Sequence, residues 1–187
     1  AFVDQVTYDV TMPFIRMMAG PVDYTQGAMH NASRENFRAI HDEPMSQGTR
    51  CRQLAEYIVF DSPLNMLCDS PSSYEREHEC TSFIAGIPTV WDHTTVLCGK
   101  VSEYIATARQ KGNIWYVGAM TNWEECTIEI DLSFLGAGDF KAEIFRDGVN
   151  AYRYARDYKK ELIEIPADRK LKVRMAPGGG FAARIYQ

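Results

Sequence analysis

The segment SEYIATARQKGNIWYVGAM (residues 102–120) decides the fold class of this chain. It contains two strand-like stretches, Ser102–Arg109 and Ile114–Met120, and the turn residues Gly112-Asn113 lie between them. Two strand-like stretches around such a pair predict an antiparallel hairpin. In the first stretch every second residue is apolar, so one face of the strand is predicted to point into a core: Tyr104, Ala106 and Ala108.

This alternation with a period of two continues from Pro88 to the C-terminus. Gly136-Ala137-Gly138, Asp147-Gly148 and Pro177–Gly180 supply further turns. The complete set of predicted strands is Val90–Leu97, Ser102–Arg109, Ile114–Met120, Thr127–Leu132, Lys141–Arg146, Glu161–Ile165, Lys170–Met175 and Phe181–Tyr186. Short strands spaced by about ten residues are typical of a β-sandwich. We therefore predict that residues 87–187 form an antiparallel β-sandwich domain, in which three further residues face the core: Ile128, Ile130 and Leu132.

Residues 1–86 follow a different pattern, and a domain boundary is predicted at residues 86–87. Val3–Met18 is apolar with β-branched residues and is followed by Gly20-Pro21, which predicts a strand and then a short irregular segment. Thr25–Gln47 is polar and rich in turn residues. It therefore predicts a long loop of the kind that usually serves a site.

Two helices are predicted after that loop. Apolar residues recur at helical spacing in the first of them: Cys51, Leu54, Ala55, Ile58 and Val59. The second is predicted to begin at Ser72, because Ser72-x-x-Glu75 has the form of a capping box, and to end before Gly86. The fold class is therefore mixed: a strand and helices, followed by an all-β sandwich.

Length and composition exclude several classes of protein. With 187 residues the chain is too short for a complete (β/α)₈ barrel, which needs about 250 residues. The formal net charge is −5 and no basic block is present, so a nucleic-acid partner is excluded. No apolar stretch approaches the roughly 20 residues of a membrane span. Residues 1–10 lack the features of a signal peptide, so we expect a processed chain or, as we favour, part of a longer protein.

Metal, disulfide and phosphate sites receive little support from the sequence. The five cysteines are odd in number and form no CxxC pair, so they are predicted to be buried free thiols. The four histidines lack metal-ligand spacing. Gly178-Gly179-Gly180 is not followed by Lys-Ser/Thr or by a helix, and is therefore predicted to be a turn rather than a phosphate loop.

Three aspartates flank the first apolar segment, and we consider them as site residues. They are Asp4, Asp9 and Asp23. A carboxylate at the end of a barrel strand is well placed to bind a sugar, whereas the alternative role is to cap or brace a turn. Asp23 is preferred because it follows Gly20-Pro21, and it is expected to accept a hydrogen bond either from a sugar hydroxyl or from Arg16. Asp23, Arg16 and Asp9 are thus the predicted substrate-binding residues.

Five segments of the chain resemble glycoside hydrolase family 97. They are TMPFIRMMAGPVDYTQGAM (11–29), EPMSQGTRCRQLAEYIVFDSPLNMLCD (43–69), IPTVWDHTTVLCGK (87–100), GNIWYVGAMTNW (112–123) and APGGGF (176–181). The resemblance implies an α-galactosidase or α-glucosidase of bacterial type, built from an N-terminal sandwich, a (β/α)₈ barrel and a C-terminal all-β domain. Residues 1–86 would then be the terminal strand and helices of the barrel. Within the family, the segment DYTQGAM (23–29) favours the retaining α-galactosidase branch.

The same resemblance implies that this chain is incomplete and inactive alone. In many members a glutamate precedes the pair that corresponds to Pro13-Phe14, whereas this chain reads Val6-Thr7-Tyr8-Asp9 there. The catalytic carboxylates are therefore expected outside this stretch. The resemblance also implies calcium in the full-length enzyme, no cofactor in this stretch, an oligosaccharide substrate, and a periplasmic or secreted location.

Two other functions remain open at this point: a stand-alone carbohydrate-binding module and a purely structural sandwich. Exposed, coplanar rings of Trp91 and Trp123 would favour the binding module, whereas buried rings would favour the scaffold. We also expect the helix around Leu54 to present apolar surface that barrel strands would otherwise cover. Such surface drives association, so either a homo-oligomer of the chain or an N-terminal half less stable than the sandwich is expected.

Overall fold

The first apolar segment is helical in the computed structural model, which describes residues 2–187. Two short helices and a 3₁₀ turn take the place of the predicted strand: α1 (Gln5–Asp9), α2 (Met12–Ile15) and Arg16–Ala19. Asp4 caps α1, because its Oδ1 accepts the N–H of Thr7 at 3.0 Å. Val6 and Val10, four residues apart, are both fully buried. The strand prediction was wrong because a helix cap and helical spacing outweighed the β-branched composition.

The long polar segment forms the predicted loop, and it contains only a two-residue parallel bridge between β1 (Asn31–Ala32) and β2 (Ser46–Gln47). The helix predicted after it is confirmed as α3 (Arg50–Val59), capped by Thr49. Two further helices follow: α4 (Pro71–Arg76) and α5 (His78–Gly86). The cap of α4 is Ser70 rather than Ser72, because a proline is favoured at the first helical position and Pro71 occupies it.

All eight predicted strands are present. They are β3 (His93–Lys100), β4 (Tyr104–Lys111), β5 (Ile114–Thr121), β6 (Cys126–Asp131), β7 (Lys141–Asp147), β8 (Tyr158–Glu164), β9 (Lys170–Met175) and β10 (Gly180–Tyr186). Six of them form an antiparallel sheet in the order β3-β4-β5-β10-β7-β8, and β6 pairs with β9 in a second sheet.

The two sheets enclose an apolar core, as expected of a sandwich. Side chains of β4 and β6 enter it with the predicted alternation: Ala106, Ala108, Ile128, Ile130 and Leu132 are buried there, and Tyr104 packs at its margin. The second sheet has only two strands, and through this core it packs on one face of the larger sheet.

Helix α3 covers the opposite face of the large sheet. Leu54 and Ile58 are fully buried in one cluster with Tyr116, Phe145 and Ala182 of the sheet. Glycines allow the close approach, since a Cβ on Gly180 would lie 2.4 Å from the Cα of Arg52. The expectation that the apolar face of α3 lacks a partner was therefore wrong.

The end of α3 is also fixed by the sheet. Arg109 of β4 donates from Nε to the carbonyl of Ile58 at 2.6 Å and from Nη2 to the carbonyl of Val59 at 2.9 Å. A cation that binds the last carbonyls of a helix satisfies acceptors that have no partner within the helix. Residues 50–59 are thus packed as part of the sandwich. No described helix is long and apolar enough to cross a membrane.

Candidate functional site

Arg52 lies at the centre of a buried polar cluster between α1 and α3. Its Nη2 contacts Asp9 Oδ2 at 2.6 Å, and its Nη1 contacts Glu56, one turn further along α3. The side chains of all three residues are at most 3% exposed. Ionised groups at this depth need partners, and here one cation is shared by two carboxyl groups.

Tyr24 and Gln5 complete the cluster on the side of Asp9. The Tyr24 hydroxyl donates to Asp9 Oδ2 at 2.8 Å, and Gln5 Nε2 donates to Asp9 Oδ1 at 2.8 Å. A cavity of about 330 Å³ opens beside these groups, and its wall includes Arg52 and Glu56. The cluster therefore joins α1, α3 and the segment around Tyr24 at the wall of one cavity.

Electrostatics within the cluster follow from its burial. Burial alone would lower the pKa of Arg52, but Glu56 and Asp9 outweigh it and raise this pKa. Burial raises the pKa of Glu56 well above its usual value, against the attraction of Arg52. The pKa of Tyr24 is raised by burial first and then by Glu56 and Asp9, so the phenol stays a hydrogen-bond donor. Since Asp9 is saturated by donors from the protein, the cluster is suited to positioning the segment around Tyr24.

The structure separates the predicted site residues. Asp9 lies fully buried in the cluster, whereas Asp23 and Arg16 are exposed. Arg16 donates to the carbonyls of Gly20 and Pro21 at 3.4 and 3.3 Å, and among the described residues it has no ion pair with Asp23. Of the two donors expected for Asp23, Arg16 is therefore not one, because the 3₁₀ turn directs its guanidinium towards backbone acceptors.

Arg52 and Glu56 were missed by the sequence reasoning. Their spacing of four residues on a helix is a signal for an ion pair, and it could have found this part of the cluster. The contact with Asp9 joins residues 43 positions apart, and no local pattern predicts it.

The three tryptophans pack against protein and do not form a platform. Trp123 is half-buried, and its Nε1 donates to Asp4 Oδ1 at 2.9 Å. Trp91 is half-buried against Tyr116, with ring centroids 5.3 Å apart, and Trp115 is only 9% exposed. Because no exposed coplanar pair exists among them, this observation favours the scaffold over the binding module.

Candidate metal-binding side chains and the cysteines were also compared with the sequence predictions. Within residues 2–187 no group of three or more histidine, cysteine, aspartate or glutamate side chains could hold a metal ion. All five cysteines are free. Cys51 and Cys80 are buried as predicted and Cys98 and Cys126 are half-buried, but Cys68 is exposed, so the prediction was wrong there.

Comparisons with known proteins agree with the family resemblance. A family model described as "Glycosyl-hydrolase 97 C-terminal, oligomerisation" matches residues 90–186. A retaining alpha-galactosidase of Bacteroides thetaiotaomicron is 63% identical over 183 residues, which are 98% of this chain and 28% of the relative. A probable retaining alpha-galactosidase of Streptomyces bingchenggensis is 27% identical over 97% of this chain and 26% of its own length.

A solved structure gives the same result. A glycoside hydrolase family 97 enzyme of Pseudoalteromonas sp. strain K8 matches with a TM-score of 0.86 and 34% identity, over 97% of this chain and 28% of that chain. The chain thus spans 26% to 28% of the length of these relatives.

Proposed function

The chain belongs to glycoside hydrolase family 97, and from this membership we propose that it is the C-terminal region of a retaining α-galactosidase. The observation that carries the proposal is the 63% identity to the Bacteroides retaining alpha-galactosidase across 98% of the chain. Identity to the Pseudoalteromonas enzyme, whose structures include complexes with panose and acarbose, is 34%. The difference favours α-galactosides over α-glucosides as the substrate of the longer protein.

Residues 1–86 are proposed to contribute to the catalytic barrel of that protein, and α3, which packs on the large sheet, is proposed to be the element that joins the barrel to the sandwich. The Arg52 cluster and the packing of α3 on the large sheet support this role, because they join the N-terminal helices to the sandwich through buried contacts. The catalytic carboxylates and the calcium ligands would come from the part of the protein that precedes this chain. A periplasmic or secreted location is also proposed, on the family resemblance alone.

The sandwich is also proposed to hold copies of the longer protein together. The description of the matched family model includes oligomerisation, and that model covers the strands of the sandwich. The measurement is the mass of the longer protein in solution by light scattering. A strictly monomeric protein would contradict this part of the proposal.

The activity is tested on the longer protein that contains this chain. We expect hydrolysis of nitrophenyl α-galactoside to exceed that of nitrophenyl α-glucoside, with an α-anomeric first product observed by proton NMR, since a retaining enzyme preserves the configuration. The 187-residue chain alone is expected to be inactive. Faster turnover of the glucoside, or a β-anomeric first product, would refute the assignment.

Asp23 is proposed to bind substrate in the longer protein. It is exposed and follows Gly20, whose φ of +117° permits the turn that presents it. Asp23→Asn should lower kcat/KM by about 10-fold or more, because a hydrogen bond to a charged group contributes about 1.5–3 kcal/mol, and leave the melting temperature unchanged. Asp139→Asn, also exposed but on the sandwich, is the matched control. Unchanged kinetics with a lower melting temperature would assign Asp23 to the scaffold.

A further inference from the structure

A second cavity lies outside the Arg52 cluster, between the loop around Asn36 and the loop that joins β7 to β8. Its volume is about 440 Å³. We refer to it as the Tyr154 cleft, after the aromatic side chain in its wall. Its lining includes Asn36, Asn150, Arg153, Tyr154, Arg156 and Asp157. None of the residues predicted from the sequence to bind substrate lines this cleft.

The walls of the Tyr154 cleft are joined by hydrogen bonds. Asn36 Nδ2 on one wall donates to the carbonyl of Arg153 on the other at 3.1 Å. The backbone N–H of Arg50, at the start of α3, donates to the carbonyl of Ala155 at 2.7 Å. Within the second loop, Asp157 Oδ2 accepts the N–H of Asn150 at 2.9 Å. The cleft is therefore preformed, and binding of a ligand would need little free energy to order its loops.

Several polar side chains in the cleft have capacity left for a ligand. Within residues 2–187, neither Arg153 nor Arg156 has a carboxylate within ion-pair distance, although most other arginines of the sandwich are paired or hydrogen-bonded. The Tyr154 side chain is 64% exposed. The guanidinium of Arg153 lies 5.1 Å from the ring centroid of Tyr154, within the range of a cation–π contact.

The mixture of donors and acceptors indicates the chemical class of the ligand. Arginine side chains only donate, carboxylates only accept, and amides do both. A sugar hydroxyl donates and accepts, so it matches a wall that contains Arg156, Asn150 and Asp157 together. An exposed tyrosine adds an apolar ring face against which a pyranose can pack.

We propose that the Tyr154 cleft binds a neutral pyranose unit of an oligosaccharide, at a site separate from the Arg52 cluster. The inference rests on the proposed function only for the choice of an α-galactoside as probe. Binding is measured on the 187-residue chain itself, whereas the proposed function is measured as hydrolysis by the longer protein. Failure of the chain to bind sugar is therefore distinguishable from failure of the longer protein to hydrolyse an α-galactoside.

The test is a titration of the chain with raffinose, an α-galactoside trisaccharide, followed by NMR chemical shifts. We expect saturable binding with a dissociation constant in the millimolar range, which corresponds to a binding free energy of about −4 kcal/mol. Tyr154→Ala and Arg156→Ala should each weaken it about 10-fold. Tyr8→Ala removes a tyrosine that is 50% exposed and lies outside the cleft, so it is the matched control and should bind as the wild type does.

Each outcome decides the proposal, once circular dichroism has shown that a variant is folded. Absence of shifts with raffinose would overturn it, as would Tyr154→Ala binding with unchanged affinity. A parallel titration with galacturonate distinguishes neutral from anionic sugars. Binding of galacturonate more than 10-fold tighter than raffinose would overturn the neutral-sugar assignment.

Discussion

Asp147, the last residue of β7, provides the sharpest test of the electrostatics of this fold. Its Oδ2 accepts the backbone N–H groups of Ala176 and Gly180 at 2.9 and 3.0 Å. Its Oδ1 is buried and has no hydrogen-bond partner among the described residues. Burial raises the pKa of Asp147 to about 6, against the opposing effect of hydrogen bonds that include these two. The carboxylate thus fastens the glycine-rich turn before β10 at an electrostatic cost.

The size of that cost follows from the pKa difference. The ordinary value for aspartate is 3.8, so the shift to about 6 corresponds to roughly 3 kcal/mol at about 1.4 kcal/mol for each pH unit. Between pH 4 and pH 6 the folded state holds the proton more tightly than the unfolded state does. The contribution of Asp147 to the free energy of unfolding therefore decreases as the pH rises through this window.

Asp147→Asn removes the titration and keeps an oxygen that can accept both N–H groups. The free energy of unfolding is measured by urea denaturation at several values between pH 4 and pH 7. We expect the difference between variant and wild type to shift by about 3 kcal/mol in favour of the variant as the pH rises. Asp139→Asn, at an exposed position, controls for the change in net charge. Parallel curves for Asp147→Asn and the wild type would refute the reasoning.

Three further predictions concern stability and reactivity. Arg52→Met leaves two buried carboxyl groups without their cation and should cost about 3–5 kcal/mol in urea denaturation, whereas exposed Arg16→Met should cost less than about 0.5 kcal/mol. Gly180→Ala places a Cβ against the backbone of α3 and should destabilise by about 3 kcal/mol. Gly86→Ala meets no atom within 4 Å and should not lower the melting temperature. In a thiol titration Cys68 should react first, and rapid loss of all five thiols would contradict its unique exposure.

The sandwich was predictable because the sequence features that specify its strands and turns are local. Alternation and turn residues recur along every strand, and the hairpin around Gly112-Asn113 lies where the pattern predicts it. The first segment was mispredicted as a strand, since composition was given more weight than the Asp4 cap and the spacing of Val6 and Val10. A prediction that weighs cap signals before composition would have found α1.

The candidate site was predictable only in part, because its decisive contacts are not local. Asp9 was chosen from the sequence and lies in the cluster, but its partner Arg52 comes from a helix 43 residues further along the chain. The packing of α3 on the sheet depends on glycine at position 180, where a side chain would meet the helix backbone. From the sequence alone Gly180 is interpreted as a turn residue, and no local pattern predicts that the backbone of α3 packs against it.

The position of α3 bears on where the protein can be cut. The matched family model begins at residue 90, yet α3 ends at Val59 and seals the face of the sheet that carries Tyr116 and Phe145. A truncation that starts at residue 90 would present this face to water, so we expect it to aggregate. A truncation that starts before the cap residue Thr49 keeps the face covered. The smallest autonomous folding unit, and the piece to transplant into a chimeric enzyme, therefore includes α3.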